Sequence, residues 1–154
     1  MAGIGGRNTK PEILLRRRLH AAGLRFRLHA AGLPGKPDIV LPSRRIAIFV
    51  HGCFWHRHAD CHWCSTPATR PDFWNAKFEG NLIRDEKVQT LLCEAGWRVG
   101  IIWECGLRAP YADATVEQVL AWIRSRSGDF ESALVREREV KFSRERFVTK
   151  PGGM

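Results

Sequence analysis

The sequence predicts an α/β fold in which a central mixed β-sheet is covered by helices on both faces. Two observations predict it. Segments with apolar residues at helical spacing alternate with short apolar runs of strand length, in the order helix, strand, strand, strand, helix, strand, helix. The runs Ile46-Ala-Ile-Phe49 and Val99-Gly-Ile-Ile-Trp103 also lack polar alternation, as strands buried in the middle of a sheet do. At 154 residues and 44% hydrophobic content, the chain can bury one core without disulfide staples.

Thr9-Lys-Pro-Glu12 has the S/T-x-x-E form of a capping box, with Pro11 tolerated in the first turn. Ile13, Leu14, Leu15 and Leu19 follow as a core-facing stripe, and the helix should end near Gly23. Leu24, Phe26 and Leu28 alternate with Arg25 and Arg27, the period of a half-buried strand, before the turn-rich Leu33-Pro-Gly-Lys-Pro37. Asp38 to Leu41 and Arg45 to Val50 flank the short turn Pro42-Ser-Arg-Arg, so an antiparallel hairpin is expected at the middle of the sheet. A loop runs from His51 to about Pro71. Asp72 or a neighbour then caps a long helix through Phe73, Trp74, Phe78, Leu82, Val88, Leu91 and Leu92, which ends at Gly96, and Cys93 in its apolar pattern is expected in the core. Arg98 to Trp103 is another strand, and Thr115 to about Ser125 a final amphipathic helix through Val116, Val119, Leu120 and Ile123. The expected organisation is one domain over 1–125 and a charge-dense tail over 126–154, mobile or ordered only by a partner. There are no internal repeats.

Twenty-five Lys and Arg against 16 Asp and Glu give a net charge of +9 and a pI near 10.0. A polyanionic partner follows, because each phosphate neutralised by a cationic side chain releases condensed counterions; nucleic acid leads and an acidic membrane surface comes behind it. The N-terminus has no apolar signal core, and no apolar run approaches the roughly 20 residues of a membrane span. A cytoplasmic location is expected, where the five cysteines are reduced thiols or metal ligands.

The loop after Phe49 concentrates the ligands. Cys53, His58, Cys61 and Cys64, with the distant Cys105 just past the strand ending at Trp103, are a surplus of soft donors that suits structural Zn²⁺. Cys53-x4-His58-x2-Cys61 supplies three ligands, and Cys105 or Cys64 the fourth; His56, two residues from His58, is an alternative donor. Asp38 begins one strand and His51 ends the next, so a carboxylate and an imidazole should meet at one sheet edge.

Pro37-Asp38 ahead of a hairpin strand resembles the PD-(D/E)xK nucleases, in which an aspartate holds Mg²⁺ that polarises the phosphodiester and lowers the pKa of a bound water. No (D/E)xK triplet follows in Ile46 to Val50. That departure points to one family. Pro34-Gly-Lys-Pro-Asp38, His51-Gly-Cys-Phe-Trp-His56, Pro67-Ala-Thr-Arg70 with Phe73-Trp74, Asn81 with Arg84-Asp85, and Gly96-Trp-Arg-Val99 with Trp103-Glu-Cys105 together resemble the very short patch repair (Vsr) DNA mismatch endonucleases, from about Thr9 to Leu107.

The resemblance implies a Mg²⁺-dependent enzyme that recognises a T:G mismatch in double-stranded DNA and nicks the thymine strand on its 5′ side. Asp38 and the main-chain carbonyl of Val50 would hold Mg²⁺; the family often has Thr at that second position, which leaves a carbonyl ligand unchanged. His56 would be the general base, oriented by Asp85; His51 would bind phosphate or the water on the metal; Glu12 would be a supporting carboxylate, unless it only completes the capping box. Cys53, His58, Cys61 and Cys105 would be the zinc set, with one more residue between His58 and Cys61 than the common spacing. Phe54, Trp55 and Trp74 would wedge into the base stack beside the mismatch, although Trp74 is also spaced to pack on Phe78 in the core. Lys36 and Arg70 would contact DNA, and Arg16, Arg17, Arg18, Arg25 and Arg27 would add phosphate contacts or form a solvated face. Family members carry a longer basic segment that clasps DNA ahead of Asn8, where this chain has Met1 to Arg7. A lone mismatch needs no symmetric dimer, so a nucleoid-associated monomer is expected, with other repair proteins as partners. The competing functions are a non-catalytic zinc-containing DNA-binding module and a related nuclease that cuts unmismatched DNA.

Overall fold

The structure, a computed structural model, describes residues 8–132. Helix α1 (Lys10–Ala21) opens on the capping box: Glu12 N–H donates to Thr9 Oγ1 and Thr9 N–H to Glu12 Oε1, each at 3.4 Å. Strands β2 (Ile39–Leu41) and β3 (Ile46–His51) form the expected hairpin around a 3₁₀ turn, Pro42–Arg44, which Arg45 closes at φ 53°. Helix α2 (Pro71–Glu94) carries the chain to β4 (Arg98–Trp103), which pairs with β3 in parallel. A 3₁₀ turn over Glu104–Leu107 leads to α3 (Ala112–Arg124).

Together with β1 (Arg27–Leu28) and β5 (Phe130–Glu131), the strands make one five-stranded mixed sheet in the order β1-β2-β3-β4-β5. Because side chains alternate along a strand, Ile46, Ile48 and Ile102 meet Leu15 and Leu19 of α1 and Val116, Val119 and Ile123 of α3 on one face. Ala47, Phe49, Val99 and Ile101 meet Leu92 of α2 on the other. Each fully buried Leu or Ile contributes about 1.5–3 kcal/mol, so both helix layers hold the sheet. Gly100 lets α3 sit close: a Cβ there would stand 2.7 Å from the Trp122 ring.

Several expectations need correction. The first strand is only two residues long at the sheet edge, and Leu28 is exposed; Leu24 and Phe26 pack on the core from irregular backbone. Helix α2 is not capped by Asp72. Arg70 precedes it in the left-handed region at φ 53° with no side-chain cap. Nor does α2 bury its apolar residues as a core helix would, since of them only Phe78 and Leu92 are buried, while Phe73, Leu82, Ile83 and Leu91 are exposed. Cys93 is likewise exposed, its thiol donating to Asp129 Oδ2 at 3.3 Å.

The fold also continues past residue 125. Asp129 Oδ1 accepts from Val99 N–H at 2.9 Å, Ser132 Oγ accepts from Trp103 N–H at 2.9 Å, and the Arg98 guanidinium donates to the carbonyls of Trp122, Ser125, Ser127 and Gly128. These contacts use backbone and single polar side chains, which leave no apolar period to read. The rest of the expected tail, 133–154, lies outside the described residues. Among the described residues no helix is long and apolar enough to cross a membrane.

Candidate functional site

Topology gathers the site. Strand β2 runs antiparallel to β3, so the start of one lies beside the end of the other; β4 runs parallel to β3 and ends at the same edge. Asp38, Val50, His51, Glu104 and Cys105 therefore converge there. Asp38 Oδ2 accepts from Val50 N–H at 2.7 Å. Burial raises the Asp38 pKa to about 6; the Val50 hydrogen bond opposes the rise and the nearby Glu12 charge adds to it.

Glu12 is buried, at 2% exposure. One of its oxygens caps α1 and the other lies 2.5 Å from His29 Nε2, so capping and a place beside Asp38 at this sheet edge coexist. His29 N–H donates to the Asp38 carbonyl at 3.0 Å. The ligand atoms of Glu12, His29 and Asp38 all fall within 4.8 Å of one another.

The same cleft, of about 560 Å³, is lined by His51 and His56, whose rings stack 3.8 Å apart at 4°. Burial, and then the neighbouring His56, push the His51 pKa down to about 3, so its imidazole is neutral at ordinary pH. His56 Nδ1 is 2.6 Å from Asp85 Oδ2, supplied by α2. A carboxylate accepts, so Nδ1 is the donor in this pair and Nε2 is the nitrogen left for other partners. Asp85 thus bonds to His56 rather than to Arg84, whose guanidinium donates to Asn81 Oδ1.

The loop after β3 folds back in short turns, with His58 N–H donating to the Cys53 carbonyl and Cys61 N–H to the His58 carbonyl. These turns and the end of β4 bring Cys53, His58, Cys61 and Cys105 together, all buried, with their ligand atoms within 4.8 Å. Cys64 and His56 stand outside that group. His58 Nδ1 is 3.6 Å from Cys53 Sγ and 3.5 Å from Cys105 Sγ. A tetrahedral ion with metal–sulfur and metal–nitrogen bonds of about 2.3 and 2.05 Å needs a sulfur–nitrogen edge of about 3.6 Å, so the donor set fits Zn²⁺ in chemistry and spacing. The hydrogen bond from the Cys105 side chain and burial push the Cys53 thiol far up, and burial raises Cys61; a divalent cation reverses that direction. Glu104 Oε1 accepts from Cys53 N–H at 3.2 Å and His58 stacks on Trp103 at 4.0 Å, which together orient the loop.

Phe54, Trp55, Trp74 and Phe78 form one aromatic cluster, of which Trp55 lines the cleft, with Phe54 edge-on to the other three at 4.9–5.7 Å. Trp74 is half-buried and stacks on Phe78 at 5.6 Å, so it shares in local packing while keeping one part open. Arg57 lies 4.0 Å over the Phe78 ring and donates to the Phe54 and Ser65 carbonyls; Asn81 holds the Trp55 carbonyl at 3.0 Å. Lys36 lines the cleft at φ 49°, and Arg70 lies 4.4 Å over Phe73. Of the arginine run, Arg16 and Arg18 are tied to Asn8 and Asp113, while Arg17, Arg25 and Arg27 are exposed.

Sequence reasoning missed His29, Glu104 and Arg57. Each acts on a partner through a turn or a neighbouring strand, and only His29, after an alternating apolar run, left a faint signal.

Residues 1–63 match the family model for the DNA mismatch endonuclease Vsr. The chain is 49% identical over 107 residues to the type II nicking enzyme V.XorIIP of Xanthomonas oryzae pathovar oryzae, covering 70% of this chain and 78% of that protein. It is 44% identical over 126 residues to the DNA mismatch endonuclease Vsr of Escherichia coli strain K12, covering 80% of each. Against the type II nicking enzyme V.NmeAIP of Neisseria meningitidis serogroup A the identity is 41% over 108 residues, covering 70% of this chain and 76% of that protein.

Proposed function

Because the chain belongs to the Vsr family of DNA mismatch endonucleases, we propose that it is a repair endonuclease that nicks the thymine strand 5′ of a T:G mismatch by Mg²⁺-dependent hydrolysis of a phosphodiester. One observation carries this reading: a metal-type carboxylate, Asp38, and an oriented imidazole, His56 on Asp85, line one cleft.

Mg²⁺ at Asp38 and the Val50 carbonyl would polarise the scissile phosphate and lower the pKa of a water. The fit rests on a buried carboxylate, Glu12, beside a half-buried one, Asp38, whose mutual repulsion a cation relieves. His56 Nε2 takes the proton of the attacking water while Asp85 holds the ring and stabilises the imidazolium that forms. His51, neutral, offers a hydrogen bond to phosphate rather than a charge. The placement of Pro37-Asp38 before a hairpin strand and the mixed sheet support a PD-(D/E)xK-type fold, and the donor set Cys53, His58, Cys61 and Cys105 supports structural Zn²⁺. Phe54, Trp55 and Trp74 wedge the DNA open at a cost of a few kcal/mol that a wobble pair lowers, and Lys36 and Arg70 grip its backbone. The endonuclease domain runs at least to Ser132, and it acts on the nucleoid, in the cytoplasm, as a monomer.

Duplexes that differ only by T:G against T:A, in several flanking contexts with Mg²⁺, test this. Nicking beside the mismatched thymine that disappears in Asp38→Ala is the expected result. DNA binding without cleavage would favour the non-catalytic module, and equal cutting of both duplexes a general nuclease.

A further inference from the structure

We propose that His29 is a positioning residue of the catalytic edge: its imidazole holds the Glu12 carboxylate turned toward Asp38, so that Glu12 supports the divalent-ion site that Asp38 leads. The inference rests on the metal-dependent reading above and goes beyond it, since neither composition nor metal-ligand spacing marks His29.

Three observations carry it. Helix capping uses only Glu12 Oε1, at 3.4 Å from Thr9 N–H; it leaves unexplained why the side chain is 3% exposed and its Oε2 is 2.5 Å from His29 Nε2. A carboxylate that only capped a helix would turn its spare oxygen to water, and one buried beside a second carboxylate needs a partner. Next, the His29 backbone is left-handed at φ 49°, a conformation that is strained for a non-glycine residue and persists where its surroundings fix it. Its N–H bond to the Asp38 carbonyl does the fixing. Finally, the two contacts run in one direction. The backbone of His29 is tied to the residue that would hold the metal and its ring to the residue behind it, so α1 is registered against the start of β2 through a single side chain. Groups that hydrogen-bond a metal-site carboxylate in this way orient it and tune its affinity for the ion.

The test reads ion binding directly. Mn²⁺ is titrated into the protein held on a nicked T:G duplex, and bound ion is read from depletion of the free-ion electron paramagnetic resonance signal. His29→Ala is expected to weaken Mn²⁺ binding about tenfold or more. His29→Gln, whose side-chain amide can still donate to Glu12, should recover most of the loss. Glu12→Gln should fall as far as His29→Ala, and the double variant no further, because the two act as one unit. Zinc content equal to wild type verifies the fold. Should His29→Ala not fold, His29→Asn replaces it, since Asn tolerates positive φ but is too short to reach Glu12. Unchanged Mn²⁺ binding in the truncated variant, losses that multiply in the double, or no recovery by Gln would each overturn the inference. A wild-type protein that binds Mn²⁺ yet nicks no duplex would remove the repair reading while these curves still decide the role of His29; one that takes up no Mn²⁺ would overturn both.

Discussion

Asp38 has its carboxyl pKa lifted from 3.8 to about 6, so without a cation its charged form is disfavoured in the folded chain. The sign follows from linkage. Above pH 6 the folded state holds a carboxylate that burial penalises, whereas the unfolded chain holds one at no cost. As pH falls from about 6 to 4, the folded state takes up a proton that the unfolded chain still releases, and the penalty fades. The full penalty is about 3 kcal/mol, from the rise of 3.8 to about 6 at 1.36 kcal/mol per unit. Asp38→Asn, which keeps an oxygen for Val50 N–H, should therefore be more stable than wild type by up to about 3 kcal/mol at pH 7.5 without added divalent ion, with the gap closing toward pH 4. Denaturant melts of both proteins across pH check this. The comparison isolates Asp38, because His51, held near 3 against an ordinary 6.5, destabilises both proteins alike as pH falls below 6.5. A constant gap would reject the assignment. At this scale the sequence was informative where chemistry is local: Pro37-Asp38 and the run from His51 to His58 announce themselves by residue type. His29 does not, because its meaning lies in Glu12, a partner 17 positions away.

Among the elements, the loop between β3 and α2 has little apolar core of its own and depends on closure by side chains. Cys105 reaches it from the turn after β4, so Cys105→Ser should reduce bound zinc from about one ion per chain to near none and lower the melting temperature by more than about 5 °C. Cys64→Ser should change neither, since Cys64 lies outside the cluster. Elemental analysis with thermal melts decides between them, and the reverse pattern would move the fourth ligand to Cys64. The hairpin, the capped first helix and β4 were legible because their periodicity is long enough to read. Helix α2 was legible as a helix but not in its burial: its apolar spacing serves Phe78, Leu92 and the aromatic cluster, while Leu82 and Ile83 face solvent. Strand β5 left no pattern, being two residues long.

In the whole molecule, an apolar strand order of this kind predicts a mixed sheet between helix layers, and the layers are there on both faces. What composition did not mark is β5, which joins the sheet past residue 125. A chain ending at Ser125 loses the Asp129 bond to β4 and the Gly128 carbonyl that accepts from Trp122 Nε1–H at 2.8 Å, so it should melt well below one ending at Ser132. Differential scanning calorimetry of the two truncations tests this, and equal midpoints would return the boundary to 125.

One feature of the sheet edge reaches further. His58 lies flat on Trp103, Trp103 meets His51 edge-on at 5.3 Å, and His51 lies flat on His56, so four rings form a column from the cysteine cluster to the candidate base. The column has a consequence for timing during biosynthesis. Trp103 and Cys105 come after the loop, His56 and Asp85 have all been made, and the rings cannot line up until β4 has docked. A newly made chain thus carries its candidate cutting groups unaligned through at least the first 103 of its 154 residues, so cleavage should arise only once β4 has docked.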